Sequence, residues 1–293
     1  MPTTDRLRAH VDALAHDIGP RHQGEPKTIR ATRAYLREQW EAMGFEVRVQ
    51  AFNADGFAAQ NLYATLPCDE PEAPGYVVGA HHDTVPSTPG ADDNASAVAV
   101  LLEVSRAFAG KRTRVPLTFV SFANEEPPFF TGPEMGSDAF AEDLEARDVS
   151  LELMVCLEMV GYFDDTAGSQ SYPEGVPAVV RAVLPGRGDF LVSIPNPAGR
   201  AAAERLRKAA AGEEGLRLIS PPLPGGLWKQ FWLSDHGPFW DRGFPAVMIT
   251  DTSWYRNPNY HLPTDTPDTL DYARMSSLTT GLARALTEAT GSR

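Results

Sequence analysis

Residues 151–160 form an apolar run with no polar face, broken only by Glu152 and Glu158, and that run restricts the fold more than any other feature of the chain. A strand that can face water on neither side must lie inside a sheet covered on both faces. The preceding chain supplies the neighbours. Residues 76–80 and 117–123 read as two further buried strands. Between them, residues 94–109 read as a helix with Val98, Val100, Leu101, Leu102, Val104 and Phe108 around most of its surface, with Asp93 or Asn94 as N-cap. Residues 136–147 read as another helix. Strand, helix, strand, helix, strand at this spacing requires crossover connections, so the expected class is α/β: a three-layer sandwich with a mostly parallel central sheet and helices on both faces.

The flanking segments extend this plan. Leu7, Val11, Leu14 and Ile18, then Ile29, Leu36, Trp40 and Met43, recur at helical spacing on either side of the breaker Gly19-Pro20. Residues 45–52 and 61–66 read as an antiparallel edge hairpin turning at Asp55-Gly56. Residues 185–226, rich in Pro and Gly around one helix at 200–211, read as an excursion over the sheet's edge that forms part of a cleft wall. A strand at 246–250, a long loop and a closing helix with Met275, Leu278, Leu282 and Ala289 finish the chain, and residues 1–293 are expected to form a single domain.

Composition removes several classes of function. A net charge of -13 without a basic cluster argues against nucleic acid and anionic membranes. No run of 18 apolar residues and no secretory-type start occurs, so the expected location is cytoplasmic with no membrane span. Two cysteines, Cys68 and Cys156, leave no disulfide framework and no thiolate zinc site.

The chemistry gathers where strands end, since in open α/β sheets ligands bind beyond the strands' carboxyl ends. His81 and Asp83 follow the strand at 76–80 and point the same way, so Asp83 can fix the tautomer of His81. Of Asp92 and Asp93, one can cap the following helix while the other is free to bridge two cations. Glu125 and Glu126 follow the strand at 117–123, which permits one to ligate a metal and its neighbour to move a proton. Glu158, inside its apolar run, requires a cation partner, an arginine or a metal. His261 lies in a loop where Asp265 could orient it. Each has an ordinary explanation alone: a solvated turn, a helix cap, a surface acid pair. Together His81, Asp92, Glu126, Glu158 and His261 offer nitrogen and oxygen donors without thiolate, a set that favours zinc. There is no Gly-x-Ser-x-Gly, Walker A, His-Glu-x-x-His or Gly-x-Gly-x-x-Gly signature to compete.

The stretches Ile18-Gly19-Pro20-Arg21, Gly79-Ala80-His81-His82-Asp83-Thr84, Pro89-Gly90-Ala91-Asp92-Asp93-Asn94-Ala95-Ser96, Asn124-Glu125-Glu126, Ser234-Asp235-His236-Gly237-Pro238-Phe239 and Tyr260-His261 resemble, in order, the co-catalytic zinc aminopeptidases of the leucyl aminopeptidase type, relatives of the glutaminyl cyclases. The resemblance implies two zinc ions bridged by Asp92, with His81 and Glu158 at one and Glu126 and His261 at the other. It also implies Glu125 as general base, Asp83 as orienter of His81, a cis peptide between Asp92 and Asp93, and peptides or amino-acid amides as substrates. Glu158 stands where these enzymes usually carry Asp, and Ala97 replaces a frequent glycine. Two rival functions share the scaffold: cyclisation of amino-terminal glutamine, for which Asp235 matches a position of interest, and a catalytically silent binding module. Trp228, Phe231, Trp232, Phe239, Trp254 and Tyr255, with Phe129 and Phe130, are candidates for a side-chain pocket or for core.

Overall fold

Four parallel strands carry the middle of the sheet, as the largely apolar runs without a polar face require. A computed structural model describes residues 3–174, 176, 178–181, 184–221 and 231–293. Among them, strands β1 (Arg48–Ala54), β2 (Phe57–Thr65), β3 (Gly75–His81), β4 (Leu117–Phe122), β5 (Leu151–Glu158), β6 (Leu191–Pro195), β7 (Leu218–Ile219) and β8 (Ala246–Thr250) form one sheet, ordered β1-β2-β4-β3-β5-β8-β6-β7. Strands β4, β3, β5 and β8 run parallel. The β1–β2 hairpin joins antiparallel at one edge, and β6 joins β8 antiparallel at the other.

Alternation along the inner strands divides the core in two. Leu153, Val155 and Leu157 of β5 face a cluster built with α1 (Thr3–Val11), α2 (Pro26–Ala42), α3 (Ala97–Arg106), α6 (Arg200–Ala210) and α8 (Tyr272–Thr290). Met154 and Cys156 face the opposite cluster, with Phe140 of α4 (Gly136–Ala146) and Phe239 and Trp240 of α7 (His236–Asp241). A single turn, α5 (Ala178–Arg181), precedes β6. Successive side chains thus enter different cores, which is why the run at 151–160 has no polar face. Each fully buried Leu or Val contributes roughly 1.5 to 3 kcal/mol. No helix among the described residues is long and apolar enough to cross a membrane.

Three local details differ from the sequence reading. The helix read at 94–109 is regular only over Ala97–Arg106, because Asp93 and Asn94 hold non-helical backbone angles (φ -104°, ψ 87° and φ -134°, ψ 31°). Neither residue caps it: the Asn94 amide instead donates to Leu157 O and accepts from Met159 N, tying this turn to the end of β5. The hairpin is longer than expected, pairing Ala54 with Phe57 across Asp55 and Gly56, whose positive φ values of 47° and 87° suit a two-residue turn. Finally, the segment read as an excursion over the sheet's edge contributes β6 and β7 to that edge; its residues 222–226 lie outside the described ones.

Because β3, β4, β5 and β8 are parallel, their carboxyl ends share one rim. His81, the Asn124-Glu125-Glu126 turn, Glu158 and Asp251 therefore meet there although distant in sequence.

Candidate metal centre

Two groups of donors occupy this rim: His81, Asp93 and Glu158, and Asp93, Glu126 and His261. His81 Nε2 lies 3.4 Å from Asp93 Oδ1 and 3.3 Å from Glu158 Oε2. His261 Nε2 lies 3.2 Å from Asp93 Oδ2 and 3.2 Å from Glu126 Oε2. Donors held about 2.0 to 2.1 Å from a tetrahedral ion stand about 3.3 to 3.4 Å apart, so both groups have the spacing of zinc ligands. The buried atoms His81 Nε2, His261 Nε2 and Glu126 Oε1 have no hydrogen-bond partner among the described residues. Unpaired buried polar atoms are costly, and a cation in each group would give these side chains a partner.

The surrounding hydrogen bonds show how the loops are held. The Asp83 carboxylate accepts from Glu125 N (3.2 Å) and Glu126 N (3.1 Å) and lies 3.5 Å from His81 Nδ1, while Asp83 O is 3.2 Å from the same ring atom. Ser234 Oγ donates to Glu158 Oε2 at 2.5 Å. Glu125 Oε2 is 3.8 Å from His81 Nε2.

The sequence reading erred at Asp92. Asp93 stands between the two histidines, while the Asp92 carboxylate belongs to neither group and accepts from Gly161 N (2.9 Å) and Asn257 Nδ2 (2.7 Å). The cause is the local turn. Gly90 is left-handed (φ 62°), and the Asp265 carboxylate grips both Asp92 N (2.9 Å) and Asp93 N (3.1 Å), fixing which of the two acids faces the rim. The cis peptide follows Asp93, between Asp93 and Asn94, rather than preceding it. Asp265 thereby braces the 92–93 turn instead of orienting His261, whose ring stacks on Tyr260 at 3.8 Å and 19°. The other residues singled out, His81, Asp83, Glu125, Glu126, Glu158 and His261, converge.

Crowded acids dominate the electrostatics. Burial, opposed by His81 and reinforced by Glu158, Glu126 and Asp235, holds the Glu125 carboxyl well above its ordinary range. Burial and Asp93 push Glu126 up to about 8. His261 rises to about 10: burial works against its charge, and Asp93 and Glu126 more than compensate. His81 rises too, its burial outweighed by Glu125 and Glu158. Asp235, with both oxygens buried, is raised to about 7, chiefly by burial. The site thus retains positive charge, as protons or as a cation.

Sequence reasoning gave Asp265 another role and assigned none to Asn257 or Ser234: Asp265 and Asn257 bond to the 92–93 turn, and Ser234 donates to Glu158. Tyr260 likewise had no assigned role: its phenol pKa is raised by burial and then by Asp93, Glu126, Glu158 and Glu125. Its place beside a histidine was a signal available in the sequence. Glu158 also lines a cavity of about 80 Å3 walled by Phe190, Val192, Ile194, Met248, Phe231 and Trp254. Of the other aromatic residues considered, Tyr255 also lines it, Trp232 and Phe239 join the core, Phe129 packs beneath the hairpin, and Trp228 lies outside the described residues.

The sequence model of peptidase family M28 matches residues 61–286. The uncharacterized protein YfbL of Escherichia coli is 35% identical over 291 residues, covering 96% of this chain and 87% of its own length. A probable zinc metalloprotease of Pyricularia oryzae is 27% identical over 236 residues, 71% of this chain, which spans only 43% of that relative. The structure of the LapA aminopeptidase of Legionella pneumophila shares the fold, with a TM-score of 0.75 at 19% identity over 98% of this chain and 71% of that one.

Proposed function

This chain belongs to peptidase family M28, and we propose that it is a zinc-dependent aminopeptidase that removes amino-terminal residues from peptides or amino-acid amides. The observation that carries this reading is Asp93 between two histidines, with donors spaced 3.2 to 3.4 Å apart in both groups. His81, Glu158 and one oxygen of Asp93 would hold one zinc ion; Glu126, His261 and the other oxygen of Asp93 would hold a second. When bound, the ions supply Lewis acidity to the scissile carbonyl and make an attacking water more acidic.

This chain's own groups do the rest. Glu125, whose main chain is pinned by Asp83, takes the proton from the attacking water and delivers it to the leaving amine. Its raised pKa suits a group that must both accept and release that proton. The Tyr260 hydroxyl, in the field of the same acids, can donate to the carbonyl oxygen as negative charge develops there. The acid-rich rim attracts a free α-ammonium group. The apolar cavity beside Glu158 suits an apolar first side chain; among the described residues that line it, only Glu158 is charged.

The test is a panel of anilides and amides of leucine, phenylalanine, lysine and glutamate, unblocked and amino-acetylated, assayed before and after chelation with zinc measured on the same sample. Cleavage confined to unblocked apolar substrates and lost with the metal is expected. Equal cleavage of blocked substrates would refute the exopeptidase reading, and ammonia without free glutamine from a glutaminyl peptide would point to cyclisation.

A further inference from the structure

We infer that Arg21 is a positioning residue of the metal site: its guanidinium fastens the turn after β3 to the turn that presents Asp93, and so sets where Asp93 stands between the two histidines. The inference rests on the two-metal reading above. Arg21 is only 1% exposed, yet it contacts none of the candidate ligands' side chains through a hydrogen bond. Every acceptor of its guanidinium is a main-chain carbonyl. Nε donates to His82 O (3.0 Å), one residue after His81. Nη2 donates to Gly90 O (2.8 Å), and Nη1 is shared among Pro89 O (2.7 Å), Leu14 O (2.9 Å) and Gly19 O (3.1 Å). The main chain of Arg21 joins the same seam, its N donating to Thr84 Oγ1 (2.9 Å) and its O accepting from Thr84 N (3.1 Å).

One planar fork thus spans the 82–84 and 89–90 turns, each leading directly to a candidate ligand. Gly90 is packed into this joint: a Cβ there would lie 2.4 Å from Thr84 Cγ2, 2.4 Å from Asp93 O and 2.9 Å from Arg21 Nη2. The left-handed Gly90 therefore sits against the clamp and the acid it presents. Beyond this turn Asp265 takes over, gripping Asp92 N and Asp93 N, and Thr88 Oγ1 donates to Leu262 O beside His261. Arg21 is the link that ties the His81 end of this chain of contacts to the Asp93 end. Its charge serves the same site, being in the electrostatic reach of Asp265, Asp83, Asp93 and Glu126. A lysine there would keep the charge and lose the fork, because an ammonium is a compact charge that cannot span two turns in a plane.

The test compares wild type with Arg21→Lys and Arg21→Gln by zinc competition against a chelator of known affinity and by the rise in Tm on adding zinc. Circular dichroism of the metal-free proteins monitors the fold. Zinc binding by Arg21→Lys should weaken by up to roughly 10-fold, the lower end for residues bonded directly to metal ligands, with a smaller zinc-induced rise in Tm and turnover that recovers in excess zinc. Unchanged zinc affinity, with Tm lowered equally with and without metal, would overturn the inference and leave Arg21 a purely structural residue. Should neither variant fold, Thr84→Val, which removes the acceptor of Arg21 N together with the donor to Val85 O, must weaken zinc in the same direction; unchanged affinity there would overturn the inference equally. Wild type that takes up no zinc would instead sink the two-metal reading itself.

Discussion

Replacing Asp93 by Asn should weaken metal binding roughly 100-fold in both groups, whereas the same change at Asp92 should leave it largely intact. One Asp93 oxygen lies 3.4 Å from His81 Nε2 and the other 3.2 Å from His261 Nε2, so each group loses a ligand at once. Structural zinc sites with four ligands bind with roughly 10 to 16 kcal/mol, or about 3 kcal/mol per ligand. That corresponds to roughly 100-fold in affinity at each group. Asp92 is different, because its carboxylate accepts from Gly161 N and Asn257 Nδ2 and from none of the ligand side chains. An amide there can still accept from Gly161 N, while losing the Asn257 contact costs about 1 to 3 kcal/mol of folding stability. The effect on zinc should fall below the roughly tenfold lower bound for residues bonded directly to ligands. Elemental analysis after dialysis against a chelator, with thermal denaturation of the same samples, separates the two variants. Retention of zinc by Asp93→Asn together with its loss from Asp92→Asn would refute the geometry.

Further outcomes follow from other parts of the chain. Glu125→Gln should keep its zinc and lose roughly 100- to 10,000-fold in turnover, measured on an unblocked anilide with parallel metal analysis. Zinc affinity should rise from pH 6 to pH 8. The metal-free fold keeps a proton on Glu126 up to about 8, where the unfolded chain has released it above 4.5, so metal-free stability falls across that window and zinc must displace the proton. The rise should be roughly tenfold per pH unit for each proton displaced; a flat profile by calorimetry would contradict it. Far from the site, buried Glu103 meets Arg6 Nε (2.6 Å), Arg106 Nε (2.8 Å) and His10 Nε2 (3.1 Å). Burial alone would raise its carboxyl, but hydrogen bonds from His10, Arg106 and Arg6 hold it at about 2. Its stabilisation, roughly 3 kcal/mol at most, is present above pH 4.5 and lost as pH falls towards 2. Glu103→Gln should lower stability near pH 7 and flatten that acid limb in urea titrations.

What the sequence determined by itself is what depends on period and composition. The largely apolar run at 151–160 required a covered parallel strand, and β5 is one. Asp55-Gly56 required a tight hairpin turn, and strand ends placed His81, Glu126 and Glu158 on a common rim. Tertiary structure alone decided between adjacent acids. Asp92 and Asp93 have the same chemistry, and periodicity says nothing where the backbone is neither helix nor strand; the choice was made by Gly90 and by Asp265, distant in sequence. The five-residue strand β6 was hidden for a related reason, since an edge partner for β8 is recognised by the neighbour it pairs with. Local pattern reports which way a side chain points only while the backbone repeats. Where it turns irregularly, contacts from far along the chain set the direction.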